Sequence, residues 1–287
     1  MSNLFFNEQL LVQVGQLLSH DEFFGCPYED LFINGTLDEF TLLSANLPFS
    51  PLFPMATPAV KFNLEPGKTF FLKGALYSGS VQAQSVNRHS VTVPISTSTG
   101  AFLFSQVGFH VNSEENSTKL PGTYRIAAFF HTPTRADVGY TPGVVQHGDY
   151  GVFVVADQLL WRRINNSGQK GPALGFWTRL GGAPAERNLV TFYADGGFNL
   201  LAPFPGRNDD VLGVGIGYSK ASEHASQINE AAGGQRLNSE TIIEVTYRLQ
   251  LAPWWQLQPD FQYYIKPSAG VHAANAAVLG IRTTITF

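Results

Sequence analysis

The sequence predicts an all-β protein, an antiparallel transmembrane β-barrel of the outer-membrane type. Three observations carry that prediction: period-2 alternation sustained along long segments, a shortage of charge, and an alternation of short with long connections. Only 14% of the 287 residues are charged, while 44% are apolar and 13% aromatic; an ordinary soluble domain is about 25% charged. No window approaches the roughly 18 uninterrupted apolar residues of a spanning helix, because Gln13, Lys73, Arg125 and Asp157 break the most apolar stretches. Lipid contact has to come from strands.

The clearest strand runs from Glu240 to Leu251. Thr241, Ile243, Val245, Tyr247, Leu249 and Leu251 share one parity, and Glu240, Glu244, Thr246, Arg248 and Gln250 the other, with Ile242 the exception on the polar face. Trp255 to Lys266 repeats the rule, with Trp255, Leu257, Pro259, Phe261, Tyr263 and Ile265 opposite Gln256, Gln258, Asp260, Gln262, Tyr264 and Lys266. So does the last segment, where Leu279, Ile281, Thr283, Ile285 and Phe287 alternate with Gly280, Arg282, Thr284 and Thr286. Alternation over about 10 residues exceeds the usual strand of 5 or 6 and matches a tilted membrane strand. Weaker forms recur around 212–219, 174–180, 124–131 and 60–65, and further runs lie near 8–18, 68–77, 100–111, 149–162 and 188–200. The total is about 12 strands. Short helical stretches are expected only around 28–32 and 220–231.

Turn-like links at 65–68, 119–122 and 252–253 alternate with long polar ones at 20–56, 78–99, 132–148 and 221–238. Outer-membrane barrels show this asymmetry, with short periplasmic turns and long outer loops. By that parity Phe287 ends on the periplasmic side, and the short link Gly181 to Pro184 is the exception on the long-loop side. Aromatics near strand ends, Trp161, Trp254, Trp255 and Phe287, suit a membrane interface.

Other chemistries find little support. A net charge of -4 lacks the basic footprint of nucleic-acid binding, so no nucleic-acid partner is expected. The single Cys26 forms neither a disulfide nor a thiolate metal site alone. The seven histidines show no metal-ligand spacing, and His131 and His147 around Asp137 and Asp149 read as solvated loop residues. Gly213 to Gly217 lacks the third glycine and the following helix of a dinucleotide loop, and reads as small residues leaving space on one strand face. Asn208 to Asp210 reads as a polar turn rather than a calcium site, and the sequons at Asn34, Asn116 and Asn165 as chance. No catalytic residue, metal or cofactor is expected, and the start at Met1 lacks the features of a secretory signal.

Longer strings carry a resemblance. Asp149 to Arg162 (DYGVFVVADQLLWR), Arg187 to Gly197 (RNLVTFYADGG), Pro205 to Gly215 (PGRNDDVLGVG) and Gln256 to Tyr264 (QLQPDFQYY) are similar to the carbohydrate-selective porins of the OprB family. So are Leu31 to Asn34 (LFIN) and Pro54 to Pro58 (PMATP). The resemblance covers essentially the whole chain. It implies a bacterial outer-membrane barrel that admits glucose and other sugars by diffusion, and it implies about 16 strands and a signal peptide. Against that pattern the chain reads as the C-terminal two-thirds, with the N-terminal strands absent through a truncated gene, a mis-called start or a smaller closed barrel.

A single porin domain over residues 1–287 is therefore expected, with 20–56 as a long loop that either enters the lumen as a constriction or packs over the rim. On the inward parity, Lys61, Lys73, Arg125, Arg179, Glu244, Arg248, Asp260 and Arg282 are the candidate pore-lining charges, joined by Phe71, Tyr77, Trp177 and Tyr264. Polar groups there replace part of a solute's hydration shell, and arginine adds a rigid fork of donors. The expected partners are sugars as solutes, outer-membrane lipid, and the barrel-assembly machinery through the C-terminal strand ending in Phe287. The competing expectations are a soluble all-β carbohydrate-binding module and a non-functional porin fragment.

Overall fold

The computed structural model describes residues 2–47, 51–52, 55–79, 100–114, 119–136, 145–164 and 170–287. Their backbone forms one 13-stranded sheet in which sequence order is spatial order. The strands are β1 (Ser2–Phe5), β2 (Leu10–Leu17), β3 (Thr57–Leu64), β4 (Phe70–Ser78), β5 (Ala101–Val111), β6 (Gly122–Ala136) and β7 (Val145–Ile164). They continue as β8 (Lys170–Gly182), β9 (Val190–Leu201), β10 (Val211–Ala221), β11 (Ser239–Ala252), β12 (Trp255–Ile265) and β13 (Ala276–Ile285). Every neighbouring pair is antiparallel, so the ladders satisfy the backbone groups that lipid cannot.

The one strand beyond the expected dozen is β1, a four-residue element paired with β2 across the turn at 6–9. Its brevity gives periodicity nothing to register. Three successive left-handed residues, Phe6, Asn7 and Glu8, tighten that turn. Four helical turns among the described residues lie outside the expected stretches, at His20–Phe23, Gly35–Asp38, Thr41–Ser44 and, as a 3-10 turn, Pro267–Ala269, because three or four residues are too few to show a helical period. The two expected helical stretches appear as the 3-10 turn Glu29–Leu31 and the helix Glu223–Ala231, whose first turn is capped by Ser222 Oγ accepting from Ala225 N–H.

The two faces differ as the alternation requires. Val60, Leu76, Ile126, Val152, Val214, Ile216 and Ile281 stand exposed on the outer face, while Lys61, Gln106, Asp157, Arg179, Asp195, Glu244 and Gln258 are buried on the inner one. So extensive an exposed aliphatic surface does not favour the soluble module, whose sheets would turn that face into a core.

Connections sort by end. One end carries the tight links at 6–9, 65–69, 202–210 and 253–254, together with the end of β13. Trp254 and Trp255 stack there at 6.0 Å, and Trp161, Phe204 and Phe287 are exposed near it. The opposite rim exposes Phe130, Tyr150 and Phe192. The short link after β8 is tied down by Asn188, which donates from Nδ2 to Asp149 Oδ1 (2.8 Å) and to the Pro184 carbonyl (3.0 Å). Asp210 explains the Asn208–Asp210 turn. Its carboxylate accepts from Arg207 Nε (2.7 Å) and Nη2 (2.9 Å), Tyr247 Oη (2.6 Å) and the Gln250 N–H (2.9 Å). Most of the 78–99 link, the middle of 132–148, Asp137, Asn116 and Asn165 lie outside the described residues.

Candidate functional site

Between β2 and β3 the chain turns back across the inner face. Phe23, Phe24, Leu31, Phe32, Leu37, Phe40, Leu42, Leu43 and Leu47 are all nearly inaccessible, and they pack on inward aromatics of the sheet. Phe23 lies 5.0 Å from Phe104, Phe32 5.6 Å from Trp177, and Phe40 5.0 Å from Phe153 and 5.3 Å from Tyr193, centroid to centroid. This apolar contact explains Ile242: it faces inward on an otherwise polar parity because Leu37 of the segment packs there beside Gly217.

A segment built of single helical turns and loops leaves backbone groups unpaired between and beyond those turns, and inward side chains from successive strands satisfy them. Tyr77 on β4 donates to the Leu18 carbonyl (3.0 Å), Gln106 on β5 to that of Phe23 (2.5 Å), and Arg125 on β6 to that of Gly25 (2.8 Å). Asn199 on β9 donates to the Tyr28 carbonyl (2.8 Å) and Gln258 on β12 to that of Leu31 (2.6 Å). Glu244 on β11 accepts from the N–H groups of Ile33 (2.7 Å) and Asn34 (3.0 Å). Asn34 in turn donates to Gln262 Oε1 and Tyr264 Oη on β12. Glu22 is held by Lys61 and, at 3.7 Å, by Lys73.

Arg179 is the hub. Wholly inaccessible, it forks onto Asp195 across the β8–β9 ladder, with Nη2 to Oδ2 at 2.5 Å, reaches Glu29 at 3.4 Å, and donates to the Leu37 and Asp38 carbonyls. Glu29 also accepts from the Cys26 N–H (2.8 Å) and pairs with His20 at 3.4 Å. Burial alone would lower the His20 pKa, but the Glu29 carboxylate outweighs it and holds the ring above its ordinary 6.5. Burial pushes the Asp38 carboxyl and the Cys26 thiol up.

The glycines of β10 complete the seat. A Cβ on Gly213 would come within 2.5 Å of Leu31, and one on Gly215 within 2.7 Å of Phe32. The space these glycines leave is filled by the segment, not by lumen. That corrects the expectation for 213–217, and a second correction concerns Lys61, Trp177, Arg179, Glu244 and Asp260. Sequence parity places them on an open wall, whereas the segment covers them. Lys73, Arg125 and Tyr264 are partly covered, Phe71 packs against His110 at 4.8 Å, and Arg248 and Arg282 keep more access. Trp161, Trp254, Trp255 and Phe287 lie apart, exposed toward the short-turn rim. Sequence reasoning missed Tyr193, Asp195, Gln106, Asn199 and Gln258. The available signal was the run of large aromatics on the polar parity, Phe102, Phe104, Phe129 and Phe153, which need an apolar partner inside.

A wide antiparallel sheet, apolar outside and polar within, with a chain segment clamped across its inner wall, is the architecture of a porin. The model of the carbohydrate-selective porins, OprB family, matches residues 1–287. The chain belongs to the OprB family. Porin B of Pseudomonas aeruginosa is 23% identical over 193 residues, which are 59% of this chain and 42% of that protein. The alignment thus spans less than half the length of this curated relative. Two structures of Pseudomonas putida OprB share the fold across all of this chain. The high-pH form has a TM-score of 0.82 at 19% identity over 71% of its own length, and the low-pH form 0.58 at 15% over 65%. OprB members are outer-membrane β-barrel channel proteins.

Proposed function

We propose that this chain forms the wall of an outer-membrane pore through which sugars diffuse, with residues 20–47 as its constriction. One observation carries the reading: the segment crosses the inner wall and is held there by polar side chains from nearly every strand between β3 and β12. A loop that only covered the rim would not need a buried arginine, a buried glutamate and a glycine row reserved for it.

Passage past such a constriction is passive. Solute hydroxyls exchange water for amide, hydroxyl and guanidinium groups, and weak, multiple contacts let them leave again. Lys73, Arg125, Arg248, Tyr264 and Arg282 are the predicted lining that the segment leaves accessible at least in part, so they are the residues proposed to meet solute. Lys61, Trp177, Arg179, Glu244 and Asp260 act one layer behind, fixing the position of the segment. Residues 1–287 serve as one porin domain without catalytic chemistry. Lipid contacts the outer face, Trp161, Trp254, Trp255 and Phe287 sit at its interface, and the strand ending in Phe287 is the contact for the barrel-assembly machinery. Liposome swelling with neutral sugars tests the reading. Folded protein should admit glucose faster than empty liposomes do, and equal rates would refute it.

A further inference from the structure

On the short-turn side of the segment, the inner wall carries a polar row that the clamp uses only through Gln258. Gln258 on β12 pairs with Arg282 on β13, and Arg248 on β11 stands opposite Gln258, bracketed by the pairs Thr246 with Asp260 and Leu249 with Leu257. Neighbouring strands lie about 4.8 Å apart, so the two arginines stem from backbones about 10 Å apart with one amide between them.

That amide is fully committed. Gln258 Nε2 donates to the Leu31 carbonyl (2.6 Å) and to Thr246 Oγ1 (2.8 Å), and its Oε1 accepts from Arg282 Nε (3.2 Å) and Nη2 (2.7 Å). The contact orients the Arg282 fork and leaves its other donors available. Arg248 has a buried Nε with no acceptor among the described residues. The charges near it include those of Arg282, a second cation, and Asp30, at the exposed side of the Glu29–Leu31 turn. Asp30 and, on Arg282, Asp38 offset part of the repulsion between the two guanidinium groups, which keep spare donors. One step nearer the rim, Gln256 donates from Nε2 to Gln250 Oε1 (2.7 Å), presenting an amide pair beside the cations.

We propose that Arg248 and Arg282 bind the carboxylate of an acidic sugar, an aldonate or a uronate, while Gln250 and Gln256 meet its hydroxyls. This rests on the pore reading above and names the solute class the pore favours. A carboxylate matches the planar arginine fork, supplies the acceptor Arg248 lacks and offsets the repulsion between the two cations. A neutral sugar satisfies the amides but gains little from the charges. The half-exposed position keeps the contact weak enough for release.

The test uses the full-length protein in planar bilayers and in liposomes, with glucose and sodium gluconate as probes. Gluconate should block the ion current in a saturable way. Arg248→Gln and Arg282→Gln should each raise the half-blocking concentration about tenfold, the loss of one charge-assisted contact. The gluconate-to-glucose influx ratio should fall with it, and Arg248→Lys, which keeps the charge without the fork, should fall between. Glucose entry without saturable gluconate block overturns this inference alone, as does a block that both glutamine variants leave unchanged. Failure of both sugars to enter overturns the pore itself.

Discussion

Arg179→Met tests the seat of the segment at its centre. The side chain is wholly inaccessible, and its loss leaves the carboxylates of Asp195 and Glu29 buried without the cation between them. Breaking a buried pair from one side costs about 3–5 kcal/mol. The same substitution removes the donors that hold the Leu37 and Asp38 carbonyls. The buried apolar side chains on either side of the turn, Phe23, Phe24, Leu31, Phe32, Phe40, Leu42, Leu43 and Leu47, stay in place, so the effect is local, confined to the turn Gly35–Asp38. Its amides close onto Asn34 and Gly35, Leu37 N–H to the Asn34 carbonyl at 2.9 Å and Glu39 N–H to that of Gly35 at 2.9 Å. A cost of 3–5 kcal/mol raises the open population by roughly two to four orders of magnitude. Hydrogen exchange at Leu37, Asp38 and Glu39 should accelerate by that factor while the β8–β9 ladder stays protected, and single-channel conductance should rise. Unchanged exchange at these three amides would refute the reasoning that Arg179 fixes the segment.

Three more outcomes follow. Gly215→Val places atoms where Phe32 and Leu37 already sit, so it should destabilise the folded protein by about 1–3 kcal/mol in urea titration. Gly15→Ala, with open space around its Cβ, should not. Ile216→Lys, at an exposed position midway along β10, should cost about 2–4 kcal/mol in vesicles, whereas Leu189→Lys at the rim should cost about 0–1; equal costs would contradict the assignment of the outer face. Because the folded-state pKa of His20 is raised, its contribution is fully present below its ordinary 6.5 and is lost as pH rises through the folded value. Exchange at Phe23 and Phe24, corrected for the intrinsic rate, should therefore be faster at high pH than at low, and His20→Gln should remove that difference.

The barrel wall was legible in the sequence because a strand's period is local. Val214 and Ile216 alternate with Gly213, Gly215 and Gly217 whatever lies opposite them, and the outward parity holds from β3 to β13. Strands as short as β1 and single helical turns such as Gly35–Asp38 carry too few residues for any period to show. The inner site was legible only as a parity. That Arg179, Glu244 and Lys61 face inward could be read; that they face another part of the same chain could not, since nothing in their own strands encodes a segment more than a hundred residues away in two of the three cases.

Sequence by itself thus determined the alternation, the two rims and the family. Tertiary structure decided what the inside is for. Residues 20–47 form short helical turns joined by loops, and the donors and acceptors those turns leave unpaired must be satisfied wherever the segment lies. Only the assembled sheet brings Gln106, Arg125, Arg179, Asn199, Glu244 and Gln258 to one surface with the spacing to do so, and only there do the glycines of β10 become the space that Leu31, Phe32 and Leu37 fill.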